Sequence, residues 1–224
     1  MSKANVREIF LSIQGEGPYV GERQLFIRFC GCNLKCKYCD TDFDIEKSEQ
    51  YSPEELINKI NSFGNDMVLS LTGGEPLLSV EFLKDFLPLA KLNRHKIYLE
   101  TNGTLPNQLE RIINLVDIVS ADIKLPSSTG MDVDFSAVDK FLNISKRKKT
   151  FVKVVFNSEI TEEEIEKVIE LVSKYNVELI LQPQMKAESF AVTTEYCELV
   201  FDKFVSKYKK VRLIPQMHKF LNVR

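Results

Sequence analysis

Eight short apolar or β-branched runs, at residues 6–13, 24–30, 67–72, 96–100, 117–123, 150–156, 177–181 and 211–214, alternate with segments of helical period. Ser52-Pro53-Glu54-Glu55 reads as a helix start, with Ser52 as N-cap, Pro53 in the first turn and Glu55 three residues after the cap. Thr161-Glu162-Glu163-Glu164 repeats that logic ahead of Ile165, Val168, Ile169 and Val172, and Ser79 opens a third helix with Phe82, Leu83, Phe86 and Leu87 on one face. These apolar sets are core and carry no chemistry. Strand and helix in alternation predict parallel pairing with right-handed crossovers, hence an α/β fold built as a sheet or an open barrel. Ligands in such folds gather at the C-terminal ends of strands, so unusual residues should follow strands directly. They do: the cysteines follow run 24–30, Gly73-Gly74-Glu75-Pro76 follows 67–72, Thr101-Asn102-Gly103 follows 96–100, and Gln182-Pro183 follows 177–181.

The 224 residues suffice for one domain, and no internal repeat, low-complexity tract or Gly/Ser linker divides them, so a single domain over 1–224 is expected. Hydrophobic residues at 44% and charged residues at 28% lie far from the regime of disorder. Thirty lysines and arginines against 32 acids give a net charge of −2, with no general pull toward nucleic acid or an anionic membrane, and a small-molecule partner is favoured. The start Met1-Ser2-Lys3-Ala4-Asn5 has no apolar signal stretch, and no run approaches the roughly 18 apolar residues of a membrane span, so a cytoplasmic location is expected.

Five cysteines are spread unevenly: Cys30, Cys32, Cys36 and Cys39 crowd into ten positions, and Cys197 stands apart in an apolar-periodic segment as a buried small hydrophobe. In a reducing compartment such a cluster reads as metal-binding or catalytic. Cys32, Cys36 and Cys39 form C-x3-C-x2-C, and thiolates suit zinc or iron-sulfur clusters. Structural zinc wants four closed ligands, and neither Cys197 nor the histidines at 95 and 218 supply a second pair. Three thiolates in one loop suit a cubane cluster with one iron left open. Cys30 is the alternative ligand to Cys32, but it falls in the run 24–30, where the pleat sets side-chain direction.

The C-x3-C-x-aromatic-C pattern, with Tyr38 as the aromatic, resembles the signature of the radical S-adenosylmethionine (SAM) superfamily, and Gly73-Gly74-Glu75-Pro76 is similar to its SAM-binding segment. Paired glycines let a ligand meet the backbone closely, and Glu75 offers a carboxylate to the ammonium of SAM. More specific segments resemble the 7-carboxy-7-deazaguanine synthase family: Ile9-Phe10-Leu11-Ser12-Ile13-Gln14-Gly15-Glu16-Gly17, Cys39-Asp40-Thr41-Asp42, Glu100-Thr101-Asn102-Gly103-Thr104, Asp122-Ile123-Lys124-Leu125-Pro126 and Gln216-Met217-His218-Lys219.

The resemblance implies an open, partial parallel β/α barrel of the radical SAM type with an abbreviated core. It implies a 4Fe-4S cluster on Cys32, Cys36 and Cys39, and SAM held by Tyr38, Cys39, Asp40, Gly74, Glu75, Ser120, Asp122, Lys124 and Gln182. Mg2+ would sit on Thr41, although the residues alone point to Asp40 or Asp42. The implied substrate is 6-carboxy-5,6,7,8-tetrahydropterin, lodged among Ile13, Gln14, Gly15, Glu16, Arg28, Thr72 and His218. Arg28 would grip its carboxylate as a bidentate fork, while Gln14 and Glu16 hold the pterin edge. The plainer reading of Arg28 is a solvated outward residue, and of Glu16 a turn residue. Reductive cleavage of SAM would yield a 5′-deoxyadenosyl radical that starts ring contraction with loss of ammonia, in queuosine biosynthesis, with Glu100 or His218 assisting proton transfers. A one-electron reductant such as flavodoxin or ferredoxin, and a homodimer, are implied with it. His95, before a strand, is expected at the surface. A glycyl-radical activase and a non-catalytic iron-sulfur protein are the rival functions, the first with no need of Arg28 and the Gln216-Met217-His218 tail, the second with none for Gly73-Gly74-Glu75-Pro76.

Overall fold

A computed structural model of the chain describes residues 2–39, 45–186 and 189–223. In chain order the described residues form β1 (Ala4–Ile13), β2 (Arg23–Phe29), β3 (Glu49–Tyr51), α1 (Pro53–Asn61), β4 (Val68–Gly73), α2 (Val80–Leu92), β5 (Lys96–Thr101), α3 (Pro106–Ile112), β6 (Ile118–Asp122) and α4 (Pro126–Thr129). They continue with α5 (Phe135–Ser145), β7 (Lys149–Phe156), α6 (Glu162–Tyr175), β8 (Glu178–Pro183), β9 (Met185–Lys186), β10 (Ser189–Phe190), α7 (Thr194–Lys207), β11 (Val211–Leu213) and α8 (Met217–Leu221). Each of the eight apolar runs is a strand. The strands that sequence reading missed, β3, β9 and β10, are two or three residues long, too short for a periodicity to develop.

The helix starts follow their capping chemistry. Ser52 and Glu55 form a reciprocal capping box on α1, as do Thr161 and Glu164 on α6. Ser79 occupies the N-cap of α2 but makes no side-chain cap bond, because a 3-10 turn at Pro76–Ser79 already leads the chain into the helix.

Nine strands form one sheet in the order β11-β8-β7-β6-β5-β4-β2-β1-β3. From β2 to β11 all neighbours are parallel, as the alternation predicts, whereas β1 runs antiparallel to both β2 and β3. The cause is the connection: Gln14 N donates to Glu22 O at 2.8 Å, closing a tight return, and a parallel crossover needs a dozen or more residues. The sheet ends on β11 and β3 among the described residues, so it is open, in accord with the partial barrel expected.

Alternation along the strands sorts the two faces. Leu25, Ile27, Leu69, Leu71, Ile97, Leu99, Val119, Val152, Val154, Leu179 and Leu181 are wholly buried in the main core against the helices. The intervening positions face the concave side and are largely polar: Gln24 and Arg28, Ser70 and Thr72, Glu100, Ser120 and Asp122, Lys153, Gln182. Tyr19, Tyr98, Phe151 and Ile180 form a small apolar cluster of their own on that side. This polar face bounds a cavity.

Candidate active site

The cavity has a volume of about 520 Å³, and its wall includes Ile13, Gln14, Gly15, Glu16, Arg28, Thr72, Glu100, Ser120, Asp122, Lys124, Gln182 and His218, with Cys32, Cys36, Tyr38, Cys39 and Gly74 at one end. The structure therefore brings together every predicted site residue except three. Asp40 and Thr41 lie outside the described residues, and so does Asp42. Glu75 is described, and it lies beneath the cavity wall.

The cysteine end is built by close backbone approach. Gly73 has φ +114°, and a Cβ there would stand 2.2 Å from Phe29 O; a Cβ on Gly74 would stand 1.8 Å from Gly31 O. Only glycine permits the contact, through which Gly74 N donates to Phe29 O at 3.0 Å and Glu75 N to Gly31 O at 2.8 Å. The cysteine loop is thus anchored to the end of β4. Cys30 follows β2, which ends one residue earlier at Phe29, and does not line the cavity; Cys197 is buried in α7.

Among the described residues no three His, Cys, Asp or Glu side chains converge as they would on a single metal ion. Three thiols around one cavity mouth instead fit a cluster, in which each cysteine meets its own iron. Burial pushes the Cys32 and Cys36 thiols above their ordinary pKa, and a bound metal reverses that preference by taking the thiolate. For SAM the fit rests on orphaned acceptors: Asp122 Oδ1 and Gln182 Oε1 are buried on the wall without a hydrogen-bond partner, ready for ligand donors.

Glu75 has no exposed surface. Its Oε1 accepts from Leu77 N at 3.0 Å and Thr101 Oγ1 at 2.9 Å, and its Oε2 accepts from Asn102 N at 2.8 Å. Burial outweighs these bonds and raises the carboxyl to about 7. The sequence offers the Glu75 carboxylate to an ammonium; in the structure that carboxylate also braces Asn102, whose Nδ2 reaches Asn33 Oδ1 at 2.8 Å in the cysteine loop.

Further along the concave face Glu100 is a hub. Its Oε1 accepts from Gln14 Nε2 and from Ser70 Oγ, each at 2.9 Å, and its Oε2 from Thr72 Oγ1 at 3.0 Å. Glu16 accepts from Gln216 Nε2 at 2.7 Å and pairs with Lys153. Burial pushes the Glu16 carboxyl up, but Lys153, Gln216 and His218 together pull it down to about 2. Lys124 stands 2.6 Å from Asp122 Oδ2 and 3.1 Å from the Tyr38 hydroxyl, and burial raises that phenol to about 12. Arg28 lies on the inner face, so the outward reading fails: its Nε donates to Glu8 Oε2 at 3.2 Å and its guanidinium lies 5.7 Å from the Phe10 ring centroid. His218 packs so tightly on the first turn that a Cβ at Gly15 would stand 2.4 Å from His218 Nδ1.

His95 is not at the surface. It is 1% exposed, its Nδ1 accepts from Met67 N at 3.2 Å, and its Nε2 faces Asn61 Oδ1 at 3.3 Å, so it secures the start of β4. Sequence reading missed Lys153 and the supporting Glu8, Gln24 and Ser70. Their signal was a polar residue on the inner face of a largely apolar strand, as Lys153 is in Lys149–Phe156.

Residues 26–189 match the Radical SAM superfamily. The chain is 35% identical to a 7-carboxy-7-deazaguanine synthase of Geobacter sulfurreducens, covering 99% of both chains, and 35% identical to one of Methanothermobacter thermautotrophicus, covering 100% of this chain and 99% of the relative. Its fold is similar to the crystal structure of QueE from Escherichia coli, with a TM-score of 0.68 at 22% identity over 96% of this chain and 95% of the other.

Proposed function

The chain belongs to the 7-carboxy-7-deazaguanine synthase family of the Radical SAM superfamily, and from that membership we propose that its concave cavity holds 6-carboxy-5,6,7,8-tetrahydropterin beside SAM and contracts the pterin ring to 7-carboxy-7-deazaguanine with loss of ammonia. The observation that carries this reading is one cavity with three thiols at its mouth, Arg28 near them, and Glu16 toward the opposite end of β2. When bound, the 4Fe-4S cluster and SAM supply the electron and the 5′-deoxyadenosyl radical, with Mg2+ as a further cofactor.

The protein's own residues bind and orient. Cys32, Cys36 and Cys39 hold the cluster; Gly74, Ser120, Asp122, Lys124, Gln182 and Tyr38 surround SAM, with Glu75 acting from beneath; Asp40 and Thr41 keep their proposed roles at SAM and Mg2+. Arg28 has its Nε engaged by Glu8, which directs the outer edge of the fork at the substrate carboxylate. Gln14 and Glu16 present acceptors to the N–H edge of the pterin, and Ile13, Gly15 and Thr72 shape the pocket around it. Glu100, already accepting three hydrogen bonds, and His218 are the groups placed to hold or move a proton beside the ring.

Residues 1–224 act as one domain in this reading, supported by the nine-stranded sheet to which both β1 and β11 contribute. The reductive step calls for a one-electron donor, for which a flavodoxin or ferredoxin fits, and a homodimer in the cytoplasm is the assembly proposed from family resemblance. Among the described residues no helix is long and apolar enough to cross a membrane.

The test is anaerobic turnover of the reconstituted enzyme with SAM and the carboxytetrahydropterin, read by product mass. A product lighter than the substrate by ammonia is expected. Formation of 5′-deoxyadenosine with the pterin returned unchanged would overturn the reading.

A further inference from the structure

Lys153 lies at the middle of β7 on the concave face, in register with Asp122 of β6 and Ile180 of β8. Its side chain is 11% exposed, against 18% for Glu16 and 12% for Asp122. The ammonium pairs with Glu16 Oε2 and stands 3.5 Å from Asp122 Oδ2, which also receives Lys124 at 2.6 Å. A lysine so placed is costly unless paired, and apolar residues of similar volume usually stabilise a fold at least as well. Stability therefore does not account for it.

The turn that carries Glu16 rests on the same strand. Gly17 has φ +64°, and a Cβ there would stand 2.7 Å from the Phe151 ring, so the turn lies flat on β7. Phase two of that contact is one inner-face position further on, where Lys153 takes the Glu16 carboxylate. The other oxygen of Glu16 accepts from Gln216 Nε2 at 2.7 Å. Each oxygen thus has one protein partner, and a carboxylate with about four acceptor sites keeps capacity for a ligand's donors.

We infer that Lys153 is a positioning residue for the substrate: its ammonium, seated between Glu16 and Asp122, holds Glu16 as an oriented carboxylate facing the N–H edge of the pterin. This rests on the pterin reading of the cavity and deepens it. Burial alone pushes the Glu16 carboxyl up, and Lys153 provides the largest opposing pull. Without Lys153 the acid takes up a proton more readily, and a protonated Glu16 presents a donor where an acceptor is needed. The charged and titratable groups facing this pair are Asp122 and Lys124 from the β6 side, Tyr98 and Glu100 from β5 and His218 from α8.

The experiment measures binding of 6-carboxy-5,6,7,8-tetrahydropterin to the cluster-loaded enzyme by anaerobic calorimetry without SAM, from pH 6.5 to 8.5, in wild type, Lys153→Met, Lys153→Arg, Glu16→Gln and the Glu16→Gln/Lys153→Met double variant. Wild type should bind with little dependence on pH that Glu16→Gln does not share. Lys153→Met should lose about tenfold in affinity or more at pH 7, with part of the loss recovered as pH rises. Lys153→Arg should stay within about threefold of wild type. In the Glu16→Gln background Lys153→Met should cost nothing further, and that background also serves if Lys153→Met alone, with Glu16 left without its ammonium, does not fold. Wild-type affinity in Lys153→Met, equal loss in Lys153→Arg, or a second, additive loss in the double variant would each overturn the inference. Absence of pterin binding by wild type would instead bring down the reading of the cavity and this inference with it.

Discussion

Gln216 donates from Nε2 to Oε1 of Glu16 at 2.7 Å, joining residues 200 positions apart in the chain. Met217 N donates to Gly15 O at 2.8 Å beside it, so the segment after β11 is docked on the turn after β1. The Glu16 end of the cavity is closed by this contact.

Gln216→Ala should therefore raise the Michaelis constant for the pterin by about tenfold, because a hydrogen bond to a charged group contributes about 1.5–3 kcal/mol. Steady-state turnover at saturating SAM checks it. SAM affinity, read by titration against the spin signal of the reduced cluster, should not change.

Arg28→Ala should abolish pterin turnover and keep substrate-independent cleavage of SAM, since the guanidinium faces one ligand of the two. Arg28→Lys should recover little, because an ammonium cannot reproduce the two-bond fork or the packing over Phe10. Product and 5′-deoxyadenosine are measured side by side at several pterin concentrations; turnover by Arg28→Ala with wild-type constants would misplace the carboxylate site.

Cys32→Ala, Cys36→Ala and Cys39→Ala should each lose the cluster, whereas Cys30→Ala and Cys197→Ala keep it, since neither of those two thiols lines the cavity. Iron content and visible charge-transfer absorption after anaerobic reconstitution distinguish the two groups. Intact absorption in Cys36→Ala would refute the ligand set.

Glu75→Ala should destabilise the protein and lower cluster occupancy, an outcome different from simple loss of SAM contact. It leaves Leu77 N, Thr101 Oγ1 and Asn102 N without their acceptor, and each buried unpaired group costs about 1–3 kcal/mol. Urea unfolding and iron content measure the two effects.

The same residue gives stability a pH slope. The carboxyl titrates near 7 in the fold against an ordinary 4.5, so between these values the native state binds the additional proton. Its contribution is fully present below about pH 4.5 and is lost as pH rises toward 7. Glu75→Gln should flatten that part of the stability curve relative to wild type, as followed by urea midpoints at stepped pH.

What the sequence by itself determined is local or periodic. Strand and helix alternation, the Ser52 and Thr161 capping boxes and the spacing of Cys32, Cys36 and Cys39 are short-range signals, because hydrogen-bond geometry over three or four residues dictates them. The paired glycines announced a close backbone approach without naming Phe29 and Gly31 as what is approached. Tertiary structure decided the rest. The antiparallel β1 followed from the tight return closed by Gln14 and Glu22. Burial gave Glu75 the added part of a brace and turned His95 from an expected surface residue into a strut. Lys153, a polar residue within the apolar stretch of β7, acquired its place only when the sheet set β7 beside β6 and the Gly17 turn folded back onto it. Charge pairing across a sheet depends on which strands become neighbours, and that choice is made by packing far from each residue in the chain.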